Sequence, residues 1–153
     1  MASDAPLTRP LPGFAFKVVL ENVPGLEGNA ELYFKNVSGL KYETETVPVV
    51  AGGTNFTTYN LVGATKWSNI VLKRGFIKGS ALLALRQNWI YSATKQRISG
   101  TIVQFDTQML TQMVSWRFMR GWPTKWEISD FDASKSEMTI ETLEIAHDGL
   151  MFG

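Results

Sequence analysis

Residues 121–149 read GWPTKWEISDFDASKSEMTIETLEIAHDG, two strand-like runs around one polar turn. This stretch constrains the fold most, because its apolar residues recur at every second position, a period that belongs to strands and not to helices. Trp122, Trp126 and Ile128 mark the first run. The turn, 129–136, is dense in Ser and Asp, whose short side chains hydrogen-bond their own backbone. In the second run, 137–146, apolar residues stand at Met138 and Ile140 and then at Leu143 and Ile145, so the alternation changes parity near Thr142. A one-residue shift turns side chains to the opposite face. The pattern therefore predicts a β-bulge at Thr142, or a bend at which the strand passes from one sheet to another, as in barrels and orthogonal sandwiches.

Read from its start, the chain adds more strands. Residues 1–13 hold Pro6, Pro10 and Pro12 without apolar periodicity and read as an extended N-terminal arm. Phe14, Phe16, Val18 and Leu20 alternate with Ala15, Lys17, Val19 and Glu21, a half-buried strand closed off by Pro24 and Gly25. Leu32 and Phe34 begin a second strand. Over 40–47, Lys41, Glu43 and Glu45 share one face and Tyr42, Thr44 and Thr46 the other, and neither face is apolar. Such a strand is either a solvated edge or the wall of an aqueous lumen. Residues 48–65, with Gly52, Gly53 and Gly63 and the aromatics Phe56 and Tyr59, read as a long loop. A loop of that length has either a contact to make or freedom to move.

A strand is expected over 67–74, where Ile70, Val71 and Leu72 in succession imply that both faces are covered. One helix follows at about 80–91, with Ser80 as N-cap, Leu82, Leu85 and Trp89 on one stripe, and Arg86, Gln87 and Asn88 facing out. Strands at 97–105 and 113–120 complete the series. The expected class is a mainly β domain over 14–153, an antiparallel barrel or sandwich of two packed sheets with one α-helix.

Composition removes several functions. At 153 residues the chain suits one domain that buries roughly 68–70% of its unfolded surface. Lys and Arg number 15 against 14 Asp and Glu, so no large field exists to hold nucleic acid or an anionic membrane. Cysteine is absent, which excludes disulfides and a thiol nucleophile. The first residues lack a basic region followed by an apolar core, so no signal peptide is expected and synthesis is expected in the cytoplasm. No apolar run approaches the ~18 residues of a membrane helix, so no membrane anchor is expected.

Chemistry is equally thin. His147 is the sole histidine, and sequence adjacency to Asp148 does not give the geometry of a general base. Asp130 and Asp132 lack the Gly and distal Glu of a calcium loop and read as turn caps. Gly52 and Gly53 precede no Gly-Lys-Ser/Thr. The five tryptophans fall on apolar faces, as core or interface residues. No enzyme, cofactor or metal is expected.

The W-P-T-K-W of 122–126, the polar turn, and M-T-I-E-T-L-E-I-A-H-D-G-L of 138–150 closely resemble the C-terminal signature of the tail tube family, the inner tubes of contractile phage tails and related injection systems. Residues 14–20, 37–45 (VSGLKYETE) and 66–75 (KWSNIVLKRG) fit the same family in order. The resemblance implies six copies in a ring that shares strands, and rings stacked into a hollow tube. It implies a lumen whose charge is set by Lys41, Glu43, Glu45 and Lys73. It implies contacts between subunits and rings from the arm and the 48–65 segment, with Pro10, Pro12, Val49, Val50, Asn55, Phe56 and Tyr59 as candidates. Implied partners are other copies of the chain, a sheath, a baseplate or spike, tail-terminating proteins, and effector protein or DNA carried passively. Two other readings stay open: a subunit that joins baseplate and tube, and a monomeric β-barrel that binds a small apolar ligand.

Overall fold

A computed structural model describes residues 16–23, 28–50, 52–53, 57–76, 81–106, 111–134 and 139–153. Its elements in order are β1 (Phe16–Glu21), β2 (Ala30–Phe34), β3 (Asn36–Ser38), β4 (Tyr42–Val50), β5 (Thr58–Trp67), β6 (Ile70–Gly75), α1 (Ala81–Tyr91), β7 (Ile98–Phe105), β8 (Gln112–Ile128), β9 (Ile140–Ala146) and β10 (Gly149–Phe152). The fold is mainly β with one helix, as the alternation predicts. The arm 1–13, Phe14 and the proposed cap Ser80 lie outside the described residues.

Eight strands form one antiparallel sheet in the order β2-β1-β7-β8-β9-β6-β3, with β10 added on β8. The path closes on itself. Its two ends, β2 and β3, are separated in the chain only by Lys35, whose N–H donates to the Lys73 carbonyl at 3.0 Å. The opposite corner is made by β8, 17 residues long. Its first part pairs with β7 and β10 and its second with β9. The turn falls at Arg120, which takes φ 53°, and at Gly121. β9 and β10 round the same corner with a break at His147 and Asp148, where the Asp148 N–H donates to the Met119 carbonyl at 3.0 Å.

Phe118, fully buried, fills the space under this corner. A Cβ on Gly121 would stand 2.8 Å from its ring, and one on Gly100 2.6 Å, so both positions have room only for hydrogen. The inward residues of both halves, among them Leu20, Phe34, Leu72, Ile102 and Ile145, make one apolar core. Leu82 and Leu85 of α1 join that core, whereas Trp89, the third residue of the expected stripe, is half-buried outside it.

The corner is therefore real, but it is not at Thr142. Strand β9 alternates without a break, and its parity problem has another cause: Glu141 occupies the inward site and Ile140 faces solvent. Arg74 Nε donates to Glu141 at 3.2 Å and Trp126 Nε1 at 2.8 Å. A buried ion pair takes the place of an aliphatic side chain. The bulge in this hairpin lies on the other strand, between Pro123 and Lys125. Met138 is outside the described residues.

Four further expectations are corrected. The strands expected at 113–120 and 121–128 are one strand, since the corner bends β8 without ending it. The 67–74 strand is two, with Trp67 closing β5 and Ile70 opening β6. Strand β10 was not foreseen. Arg86 turns toward the protein, 4.5 Å above the Trp126 ring, where its guanidinium meets the negative face of the indole.

Candidate assembly surface

Residues expected to form a long loop over 48–65 instead continue a hairpin. β4 runs to Val50, β5 starts at Thr58, and the two pair from Tyr42 opposite Trp67 to Val50 opposite Thr58. They make a separate two-stranded sheet that adds to neither side of the barrel. Gly52 and Gly53 lie in its turn, where Gly53 takes φ 95°, a conformation costly for residues with a Cβ. Pro48 is tolerated because a two-stranded ribbon has only edge strands.

Among the described residues, the contacts that tie the hairpin down lie at its base. The Ser68 N–H donates to the Lys41 carbonyl at 3.1 Å. Tyr42 packs on Trp67 with ring centroids 5.5 Å apart, and Trp67 on His147 at 5.8 Å. His147 Nε2–H donates to the Ser68 carbonyl at 3.0 Å. This is what the histidine does: it fastens the hairpin to the barrel corner. Asp148 faces elsewhere, bonded to Arg97 at 2.8 Å and paired with Arg120 at 3.2 Å. No acid–base dyad forms between them.

Cross-strand register assigns the hairpin's faces. Glu43 stands opposite Lys66, and Glu45, two residues on, bonds the same Lys66. The Glu45 hydrogen bond, helped by the charges of Glu45 and Glu43, raises the Lys66 ammonium above its ordinary range. On the other face Thr44 and Thr65 share a hydrogen bond of 2.9 Å. A register shift between Thr44 and Thr46 gives β5 one extra residue and separates this polar base from the outer half. In the outer half Val47 faces Leu61 and Val49 faces Tyr59, all on the face that carries Glu43 and Glu45. These four are 40–56% exposed, and Val62 on the opposite face is 86% exposed. A lone two-stranded ribbon is marginal in water, and its apolar surface and unpaired backbone edges invite another chain.

The residues expected at a lumen come from two different sheets. Lys41, Glu43 and Glu45 belong to the hairpin, whereas Lys73 is exposed on β6 between Asn36 and Thr142. Of the expected contact residues, Val49, Val50 and Tyr59 are exposed on the hairpin. Pro10, Pro12, Asn55 and Phe56 lie outside the described residues. Sequence reading missed Val47, Leu61, Val62 and Lys66. Their signal was present as alternation in Val47 and Val49 and in Tyr59 and Leu61, and the intervening Pro and Gly residues hid it.

Elsewhere the turn after β8 behaves as a cap: Asp132 Oδ1 accepts from the Ser134 N–H at 2.9 Å and from its hydroxyl. These bonds hold its carboxyl below the usual range. Among the described residues no three His, Cys, Asp or Glu side chains gather where a metal could sit. No described helix is long and apolar enough to cross a membrane.

Residues 12–151 match the family model described as T4-like virus tail tube protein gp19. The chain belongs to this tail tube family. It is thus a structural tube protein, and solved structures agree on its fold. A chain in the cryo-EM structure of the anti-feeding prophage baseplate, 6-fold symmetrised, superposes with a TM-score of 0.81 at 21% identity, over 94% of this tube protein and 95% of its own length. A chain from the extended PVC sheath-tube complex of an extracellular contractile injection system gives 0.72 at 21% identity, over 96% and 93%. Hcp1 from Flavobacterium johnsoniae gives 0.57 at 16% identity, over 92% and 95%. No curated protein sequence matches the tube protein.

Proposed function

We propose that this tail tube protein builds the inner tube of a contractile tail or injection system, six copies closing into a ring and rings stacking into a hollow tube. The observation that carries the reading is the β4–β5 hairpin, a ribbon with an apolar outer half and, among the described residues, no partner sheet. Neighbouring copies in a ring or stack would cover it. Strand β10 also pairs on one side only, with β8. Strands shared between copies remove such edges, and closure removes them all. A contact between unlike surfaces closes into a ring or propagates as a filament, and a tube needs both.

On this reading residues 14–153 act as one body. The arm, with Pro10 and Pro12, and the 48–65 segment, with Val50, Asn55 and Phe56, contribute to ring stacking. Lys41 and Lys73 remain candidates for the lumen wall. Glu43 and Glu45, which share a face with the apolar outer half, fit a contact between copies better. Function is mechanical: a contracting sheath drives the tube, assembled in the cytoplasm on a baseplate and closed by a terminator, through a target envelope. DNA or effector proteins pass through without catalysis.

Negative-stain electron microscopy with light scattering on the purified protein tests this. Stacked rings with an open lumen are expected. Single rings that never stack would assign the chain to the junction of baseplate and tube. A strict monomer at every concentration would overturn the tube reading in favour of a ligand-binding barrel.

A further inference from the structure

The register shift in the hairpin sits between its polar base and its apolar outer half. Thr44 pairs with Thr65 and Thr46 with Val62, so Glu45 alone stands against two residues, Gly63 and Ala64. Two residues against one make a β-bulge, which bends the strand carrying the extra residue and increases its local twist. Gly63 is the residue that admits it. A Cβ there would stand 2.8 Å from the Glu45 carbonyl oxygen and 3.0 Å from the Glu45 Cβ, closer than two such atoms can pack. Ala64 beside it is exposed.

On one side of the bulge the ribbon is fixed to the barrel. The Ser68 N–H holds the Lys41 carbonyl, Tyr42 packs on Trp67, and Trp67 packs on His147, whose ring lies 6.4 Å from that of Phe118. On the other side Val47, Val49, Tyr59 and Leu61 are exposed, and among the described residues β4 and β5 pair only with each other. The bend between a fixed base and a free outer half sets the direction in which the outer half leaves the barrel. We infer that the bulge is a joint that aims the outer half of the hairpin at a neighbouring copy of this chain, with Gly63 as its positioning residue. This rests on the tube reading above and adds how the hairpin is directed. A ring or a stack repeats one angle between copies. A ribbon that leaves its base at another angle misses the contact, although its side chains are unchanged.

Deleting Ala64 separates direction from composition. Gly63 then stands alone opposite Glu45, the other cross-strand pairs are kept, every apolar side chain keeps its face, and the bend is lost. The chain has no cysteine, so Thr58→Cys on the outer half and Thr124→Cys on the barrel, both exposed, accept two spin labels and no others. Below the concentration at which tubes form, the deletion is expected to shift the label-to-label distance measured by double electron–electron resonance. In the unlabelled chain it is expected to cut the tubes recovered by sedimentation several-fold and to leave the melting midpoint of the barrel in place. Gly63→Ala should act in the same direction. Ala64→Ser, which keeps the bulge, should match the wild type in all three readings. Tubes in ordinary yield from the deletion, or tubes lost with the distance unmoved, would overturn the joint and leave the tube reading standing. A melting midpoint that falls in step with the tubes would also overturn it, since the bulge would then hold the fold and not aim the hairpin. A wild-type chain that never assembles would overturn both.

Discussion

Glu141 is a carboxylate at 0% exposure in the barrel wall, held by Arg74 and Trp126. Removing one member of a buried pair leaves an uncompensated charge, a loss of roughly 3–5 kcal/mol. Glu141→Ala is therefore expected to lower the thermal midpoint sharply, while the double variant Arg74→Met with Glu141→Leu recovers most of it. Equal losses in the two variants would show that the pair itself stabilises the fold. A second pair acts nearer the surface. Arg117 donates to both carboxylate oxygens of Glu21 at 2.8 and 2.7 Å across β7, which holds the Glu21 carboxyl below its ordinary range. A lowered folded-state value means stabilisation that is present above the ordinary carboxylate range and lost as pH falls through the lowered value. Partial exposure limits it to about 0.5–1 kcal/mol. Urea unfolding of Glu21→Gln should show that deficit near neutral pH and no deficit once the wild-type carboxyl is protonated.

Among the elements, β8 decides the architecture and the hairpin decides what the molecule meets. Gly121→Ala would press a methyl against Phe118 under the corner. Overpacking of that kind costs about 1–3 kcal/mol, read as a lowered denaturation midpoint with an unchanged slope. The hairpin should respond in the opposite sense. Val47→Asp with Leu61→Asp alters only exposed positions, so the barrel's stability should move by no more than about 0.5 kcal/mol. Sedimentation should nevertheless show assembly abolished. Normal tubes from that variant would remove the hairpin from the interface. Sequence reading took 48–65 for a loop because Pro48, Gly52, Gly53 and Gly63 are breakers in isolation. A two-stranded ribbon accommodates all four, since it has no central strand and needs a turn.

At the scale of the whole molecule, most strands pair on both sides, and the described strands that pair on one side only include those of the hairpin, β10, β2 and β3. Deleting residues 51–59 is expected to leave a folded barrel with native circular dichroism that forms no tube longer than one ring. Tubes of ordinary length after that deletion would show that stacking uses another surface.

Period-two alternation determined most of the barrel strands, though not β10 or the outer hairpin, the 3–4 spacing of Leu82, Leu85 and Trp89 determined the helix, and three ordered segments determined the family, because each of these is local or linear in the chain. What Glu141 pairs with, where the corner falls and which face of the hairpin is apolar were decided only in three dimensions. Arg74 lies 67 positions from Glu141, and the two meet only because β6 and β9 are neighbours in the sheet. The corner needs Phe118 to have two glycines above it, one of them on another strand. The hairpin's faces depend on one extra residue in β5, which reverses the parity that alternation alone would assign.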